Sequence, residues 1–392
     1  MYIYVDHAAT TRIADEALRA MTPFYTEYYG NASSMHTAGR KAFAGLKQAR
    51  TDMAKCLGAK PEEIYFTSGG SEADNWAIRT VAEEAARNGK KHIVSTKFEH
   101  HAVLHTLDDL ASKGFEITLL DVHSDGIVRP AELEAAIRPD TALVTVMYAN
   151  NEIGTVQPIE ELGAICRRHD VIFHTDAVQA VGHLPIDVEK QNIDMLSLSG
   201  HKFHGPKGVG ALVCRSSVGL SPLIFGGEQE RGVRAGTENI PGIVGMATAL
   251  RLATDEMEQK NEKIRVLRDR LIAGLGKIDR THLNGDPIRR LPGNASFCFE
   301  GVEGESMLME LDMMGICASS GSACTSGSVE PSHVLLAIGV PPETAHGSLR
   351  ISIDISNTAE EIDTIIAAVT SVVDKYRRLS PVWESITASD NQ

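Results

Sequence analysis

No run of about 18 uninterrupted apolar residues occurs in the 392-residue chain, so nothing in it reads as a membrane-spanning helix. The opening MYIYVDHAATT lacks the basic flank and apolar core of a signal peptide, and a cytoplasmic protein is the expectation. Positive charge is scarce as well: 38 Lys and Arg stand against 52 Asp and Glu, a formal net charge of -14. Tracking a nucleic-acid backbone needs a basic surface, so neither nucleic acid nor a membrane is an expected partner. Six cysteines (Cys56, Cys166, Cys214, Cys298, Cys317 and Cys324) are scattered without a C-x-x-C pair, which suggests neither a zinc ribbon nor a disulfide framework. No HExxH occurs, so no metal site is expected. Internal repeats, Pro-rich or Gly/Ser linkers and blocks of like charge are absent too. What remains is a chain with an ordinary 43% hydrophobic content and a length suited to two or three domains.

From about residue 60 to 215, short apolar runs alternate with helical patterns: IYF at 64 to 66, HIVST at 92 to 96, ITLL at 117 to 120, ALVTVM at 142 to 147, VIFH at 171 to 174, MLSL at 195 to 198 and VGALV at 209 to 213. This alternation predicts an α/β domain on a mostly parallel sheet. Polar motifs follow the strands (TSGGSE, KFEHH, YANNEIG, TDAVQ, SGHKFHG), and in such sheets ligands bind beyond the carboxyl ends, so the tails are expected to converge. One long amphipathic helix is predicted over 244 to 278, and helix and strand patterns resume from ASFCFE at 295 to a helix around 362 to 376.

Within the tails, Lys202 stands just after a strand, bracketed by Ser199, His201 and His204. It is either a solvated lysine or a Schiff-base lysine, and the latter needs a phosphate cradle and a counter-charge for a pyridine ring. TSGGSEADNWAI passes from a strand through two glycines into a helix, a geometry that suits an anion and equally a turn with Ser71 as N-cap. Asp176 follows an apolar strand, as an N-cap or as the carboxylate facing a ring nitrogen. His100 and His101 hold a similar tail position. The tract SSGSACTSGS sets Cys324 among small polar residues with no large apolar neighbour, which reads either as a surface loop or as a reactive thiol.

Taken together, SGHKFHGPKGVGAL, HTDAVQAVG, NNEIGTVQPI, ERGVRAGTEN and SSGSACTSGSVEPSHV, in that family's order and spread over nearly the whole chain, resemble the cysteine desulfurases of the NifS/IscS type, which are fold-type-I pyridoxal 5'-phosphate enzymes of the class-V aminotransferase family. The resemblance implies a large cofactor-binding α/β domain over 15–258 with a mostly parallel seven-stranded sheet. Residues 1–14 and 259–392 would form a smaller α+β domain carrying Cys324. It also implies that Lys202 bonds the cofactor, Asp176 holds its ring nitrogen, His100 stacks on the ring, and Asn151 and Gln179 lie along its edge. Gly70, Ser71, Ser199 and His201 would bind the phosphate, joined by Thr237 from the other subunit of a homodimer. Arg350, with Asn151, would take the substrate carboxylate. Gly70-Ser71 stands where Ala-Thr or Gly-Thr is more familiar, which keeps the hydroxyl.

The activity so implied converts L-cysteine to L-alanine, with the sulfur held as a persulfide on Cys324 and passed to acceptor proteins such as an iron–sulfur scaffold. Catalysis would fall to Lys202, Cys324 and His100. The rivals are a selenocysteine lyase or aminotransferase on the same fold, and a non-catalytic sulfur scaffold; an ordinary aminotransferase has no use for Cys324.

Overall fold

The structure is a computed structural model that describes residues 2–320, 331–380 and 383, so Cys324 lies outside the described residues. Seven strands form the central sheet: β2 (Ile64–Thr67), β3 (His92–Thr96), β4 (Glu116–Leu120), β5 (Thr141–Thr145), β6 (Ile172–Asp176), β7 (Met195–Ser199) and β8 (Gly210–Cys214). Their order is β2-β8-β7-β6-β5-β3-β4, and only β8 runs antiparallel to its neighbours. All seven apolar runs of the sequence are strands of this one sheet.

Every residue of β3, β5, β7 and β8 is buried, as a sheet covered on both faces requires. Alternate side chains serve different cores: Ile93 and Leu143 pack with Trp76, Ile78 and Val81, while Val94 and Val144 pack with Leu46, Met53, Phe173 and Leu250. The helix Gly70–Ala86 covers the first face; Thr37–Leu57 and Ile240–Thr254 cover the second. A further core joins Phe297, Phe299, Leu349 and Ile351, from the antiparallel strands β10 (Asn294–Phe299) and β12 (Ser348–Ser352), to Leu271, Leu275, Ile365 and Val369. Strand β9 (Thr281–Leu283) edges this second sheet, and β1 (Ile3–Tyr4) pairs in parallel with β11 (Ile316–Cys317). Each fully buried Leu, Ile or Phe contributes roughly 1.5–3 kcal/mol, against about 0–1 kcal/mol for an exposed ion pair, so these cores rather than the surface charges hold the fold.

The predicted helix over 244 to 278 is two helices, Ile240–Thr254 and Met257–Leu275. They break at Glu256, whose φ of 57° is left-handed. Lys260 Nζ donates to the carbonyls of Leu252 and Asp255, and the Thr254 hydroxyl donates to Leu250 and Arg251, so side chains take up carbonyls of the first helix's final turns.

Residues 5 to 12 form a seam that positions the site. On one side Ser352 N–H bonds Val5 O at 2.8 Å and Ala8 N–H bonds Ser352 Oγ at 2.9 Å, which fastens the seam to the end of β12. On the other side the Thr11 hydroxyl donates to His201 O at 2.8 Å and accepts from His204 N–H at 2.8 Å, which fastens it to the turn after β7.

Candidate active site

The tails of β2, β3, β5, β6 and β7 meet the seam around a cavity of about 310 Å³. Ten residues singled out in the sequence line it: Gly70, Ser71, His100, Asn151, Asp176, Gln179, Ser199, His201, Lys202 and Arg350. Thr237 is exposed and is not among the lining residues. Cys324 falls outside the described residues. Sequence reasoning missed Asp74 and the backbone of Ala8 and Ala9, which also line the cavity. Asp74 sits one helical turn beyond Gly70 and Ser71, and that spacing was the available signal.

At one end of the cavity the helix Gly70–Ala86 begins. Its N-cap is Gly69 rather than Ser71, with no side-chain cap, which leaves the first-turn N–H groups directed out of the helix end. A Cβ on Gly70 would lie 2.6 Å from Val178 Cγ2, so the helix start and the loop after β6 approach closely here. The Ser199 and His201 side chains border the same end. Burial first, then the charge of Lys202, pushes His201 down to about 4, making it a neutral hydrogen-bonding group at pH 7.

Asp176 ends β6 and accepts from Val178 N–H at 2.9 Å, a turn rather than a helix cap. Burial raises its pKa, opposed by His100, the Val178 N–H and Lys202. Its acidic neighbours are pushed up too: Glu99 to about 8 by burial, and Asp74 by burial and then by the charge of Asp176. Of the coupled Asp74 and Asp176, the latter holds the charge. It takes a backbone N–H and faces Lys202, whereas Asp74 Oδ1 is buried with no hydrogen-bond partner among the described residues. His174, beneath both, is pushed down to about 3 by burial and stays neutral, bonding Thr145 and Ser197 hydroxyls at 2.8 and 2.9 Å.

Lys202 Nζ donates to Ala8 O at 2.7 Å and Ala9 O at 2.9 Å, and Gln179 Nε2 donates to Ala8 O at 2.9 Å. His100 caps the helix His101–Ser112 by accepting from Ala102 N–H at Nδ1, so the neutral ring carries its proton on Nε2. Arg350, buried on β12, donates to Asn151 O at 3.1 Å and Asp6 Oδ1 at 2.9 Å, and its Nε has no hydrogen-bond partner among the described residues. The backbone of Ser319 pairs with that of Arg350, and Ser332 donates to the Glu152 carboxylate, so residues 319 and 332 are both tied to this edge of the cavity.

These groups fit pyridoxal phosphate. An uncapped helix start with a serine and a neutral histidine suits its phosphate, a buried carboxylate suits its ring nitrogen, and a lysine amine stands across the cavity. The segment with Thr237 begins with Glu230 and Arg231 in left-handed conformation (φ 45° and 61°), held by the Arg50 fork on the buried Glu230 carboxylate.

The comparisons agree with the geometry. The family described as aminotransferase class-V matches residues 3–365. A protein of Methanosarcina thermophila named cysteine desulfurase IscS is 54% identical over 380 residues, spanning 97% of this chain and 94% of that one. A cysteine desulfurase of Nostoc sp. is 49% identical over 380 residues, spanning 97% and 94%. Among solved structures, a NifS-like protein superposes with a TM-score of 0.90 at 40% identity, covering 95% of this chain and 100% of that one. With its cavity residues in the family's order and these relatives over nearly its full length, the chain belongs to the class-V aminotransferase family, in its NifS/IscS-like cysteine desulfurase branch.

Proposed function

We propose that the chain is a pyridoxal-phosphate-dependent cysteine desulfurase that converts L-cysteine to L-alanine and holds the sulfur on Cys324. The observation that carries this reading is the meeting of Lys202, Asp176, His100 and Arg350 on one cavity, together with relatives named for this activity.

The cofactor, when bound, supplies an electron sink beside the amino acid's Cα. The first turn at Gly70 and Ser71, with Ser199, His201 and the partner subunit's Thr237, would hold its phosphate. Asp176 would face its ring nitrogen, His100 one ring face, and Asn151 and Gln179 its edge. The substrate carboxylate pairs with Arg350, helped by Asn151. Lys202 Nζ takes the Cα proton, and His100 Nε2 is placed to move the proton of the substrate thiol. The Cys324 thiolate attacks the substrate sulfur: an S–S bond forms as the Cβ–S bond breaks, its electron pair stays on the carbon skeleton, and protonation there yields alanine. In this reading the enzyme works as a cytoplasmic homodimer and passes the persulfide sulfur to acceptor proteins such as an iron–sulfur scaffold. The exposure of Thr237 on its own chain supports the dimer.

Anaerobic incubation of the purified protein with L-cysteine and a reductant tests the proposal. Alanine and sulfide are expected in equal amounts; absence of alanine from cofactor-loaded protein would move the reading to amino-group transfer or another substrate. A second outcome checks the phosphate end. Ser71→Ala removes the first-turn hydroxyl that borders the cavity and is expected to weaken cofactor binding by on the order of tenfold, read by absorbance titration of the cofactor-free protein. Unchanged affinity would remove the Ser71 hydroxyl from the cradle.

A further inference from the structure

The seam of residues 5 to 12 separates two functional elements: the strand β12, which carries Arg350, and the turn after β7, which carries Lys202. One side-chain contact reaches past the seam and joins them directly. His204 Nε2 lies 2.9 Å from Asp354 Oδ2, two residues beyond β12, while His204 Nδ1 lies 3.0 Å from Arg12 O. A carbonyl and a carboxylate both only accept, so both ring nitrogens donate and the ring is an imidazolium. Each partner is held from behind. His204 has a left-handed backbone (φ 65°) with its N–H on Thr11, and Asp354 takes Ser356 N–H at 3.0 Å while its own N–H bonds Asn357. The Lys202 carbonyl is fixed as well, by His183 Nε2 at 3.0 Å.

We propose that the His204–Asp354 ion pair is a positioning clamp that sets the spacing between the Arg350 guanidinium and the Lys202 amine, and with it the affinity for the amino-acid substrate. The clamp rests on the desulfurase reading for its substrate but not for its geometry. His204 and Asp354 do not line the substrate cavity and act through Lys202 and Arg350. They line a separate cavity of about 420 Å³, whose other titratable or charged groups are His7, Arg12 and Glu16 from the N-terminal segment, His183 from the loop after β6 and Lys260 from the helix Met257–Leu275. The ring of His7 is 6.5 Å from that of His204, and Lys260 is engaged with the carbonyls of Leu252 and Asp255.

Burial alone would lower the pKa of His204, but the hydrogen bond and charge of Asp354 outweigh it and raise it above the usual 6.5. Burial alone would raise Asp354, and His204 holds it well below the usual carboxylate range. The clamp is therefore complete below pH 6.5 and is lost as pH rises through the raised histidine value; on the acid side it outlasts ordinary carboxylates.

The test is kcat and KM for L-cysteine with the cofactor-loaded wild type, Asp354→Asn, His204→Gln and the double variant, from about pH 6 to about pH 9. The substrate's own thiol titration is common to all four and cancels in ratios to wild type. At the lower pH either single variant is expected to raise KM by roughly three- to tenfold with kcat little changed, and the double variant to be no worse than either. At the upper pH the ratio for Asp354→Asn is expected to fall toward one. A KM ratio independent of pH, or single effects that multiply in the double variant, would overturn the clamp. Should the wild type make no alanine, the desulfurase reading falls, and unfolding midpoints of the same proteins still decide the clamp. Coupling between the two substitutions at the lower pH that vanishes at the upper supports it; additivity at both overturns it.

Discussion

Lys202→Ala is expected to lower alanine formation from L-cysteine by about a thousandfold, the scale of a lost general base, while leaving the fold intact. The argument is local. Lys202 Nζ donates to two consecutive backbone carbonyls, Ala8 O and Ala9 O, so the seam helps to set its position. The cradle at Gly70 and the carboxylate of Asp176 do not depend on Lys202, so the variant is expected to bind the cofactor reversibly, with an absorbance spectrum that lacks the protein-bound form. Lys202→Arg separates charge from proton transfer: the guanidinium can donate to the same carbonyls yet stays protonated near neutral pH. Substantial alanine formation by the arginine variant would remove Lys202 from the proton-transfer role.

What could be read before folding, and what could not, follows from the range of each signal. Strands announce themselves through runs of three to six mostly apolar residues, and all seven runs from IYF to VGALV are strands of the central sheet. Strand tails with Gly, Ser, His, Asp and Lys carry their chemistry in side chains, so Gly70, Ser71, His100, Asp176, Ser199, His201 and Lys202 were legible from motifs, whereas Asn151, Gln179 and Arg350 entered only through the family resemblance. Ala8 and Ala9 were not, because they act through backbone carbonyls that leave no trace in residue type. The break at Glu256 was hidden for a related reason: the apolar stripe runs straight through it, and the lysine that satisfies the first helix's carbonyls is four residues on. His204 and Asp354 lie 150 positions apart, and their meeting depends on how β12 and the seam pack, which no local pattern encodes. Asp74 was legible in principle, since helical spacing sets it over the same cavity as Gly70. A carboxylate in a helix's first turns has an ordinary explanation in the helix dipole, and that explanation concealed it.

Cys324→Ala is expected to leave cofactor binding and absorbance unchanged and to reduce sulfide release with a natural acceptor by about a hundredfold or more. Attack on the substrate sulfur needs a thiolate, and the other five thiols argue for Cys324 by exclusion. Burial pushes Cys214 up to about 12 and Cys298 to about 11, and raises Cys166, Cys56 and Cys317 above the usual thiol value. Cys317 in addition faces the charges of Asp312 and Asp6, which oppose a thiolate. Residues on either side of Cys324 are anchored beside the substrate end of the cavity: Ser319 on the backbone of Arg350, Ser332 on Glu152 next to Asn151, and His333 on the carbonyl of Glu99 next to His100. The described segments on the two sides of Cys324 thus end beside Arg350 and beside His100. Mass analysis of the wild type after brief exposure to L-cysteine should find one extra sulfur atom on the peptide containing Cys324 and none on the peptides of the other five cysteines. Full sulfur release by the alanine variant, or the extra sulfur on Cys317 instead, would transfer the nucleophile's role away from Cys324 while leaving the assignments of Lys202 and Asp176 standing.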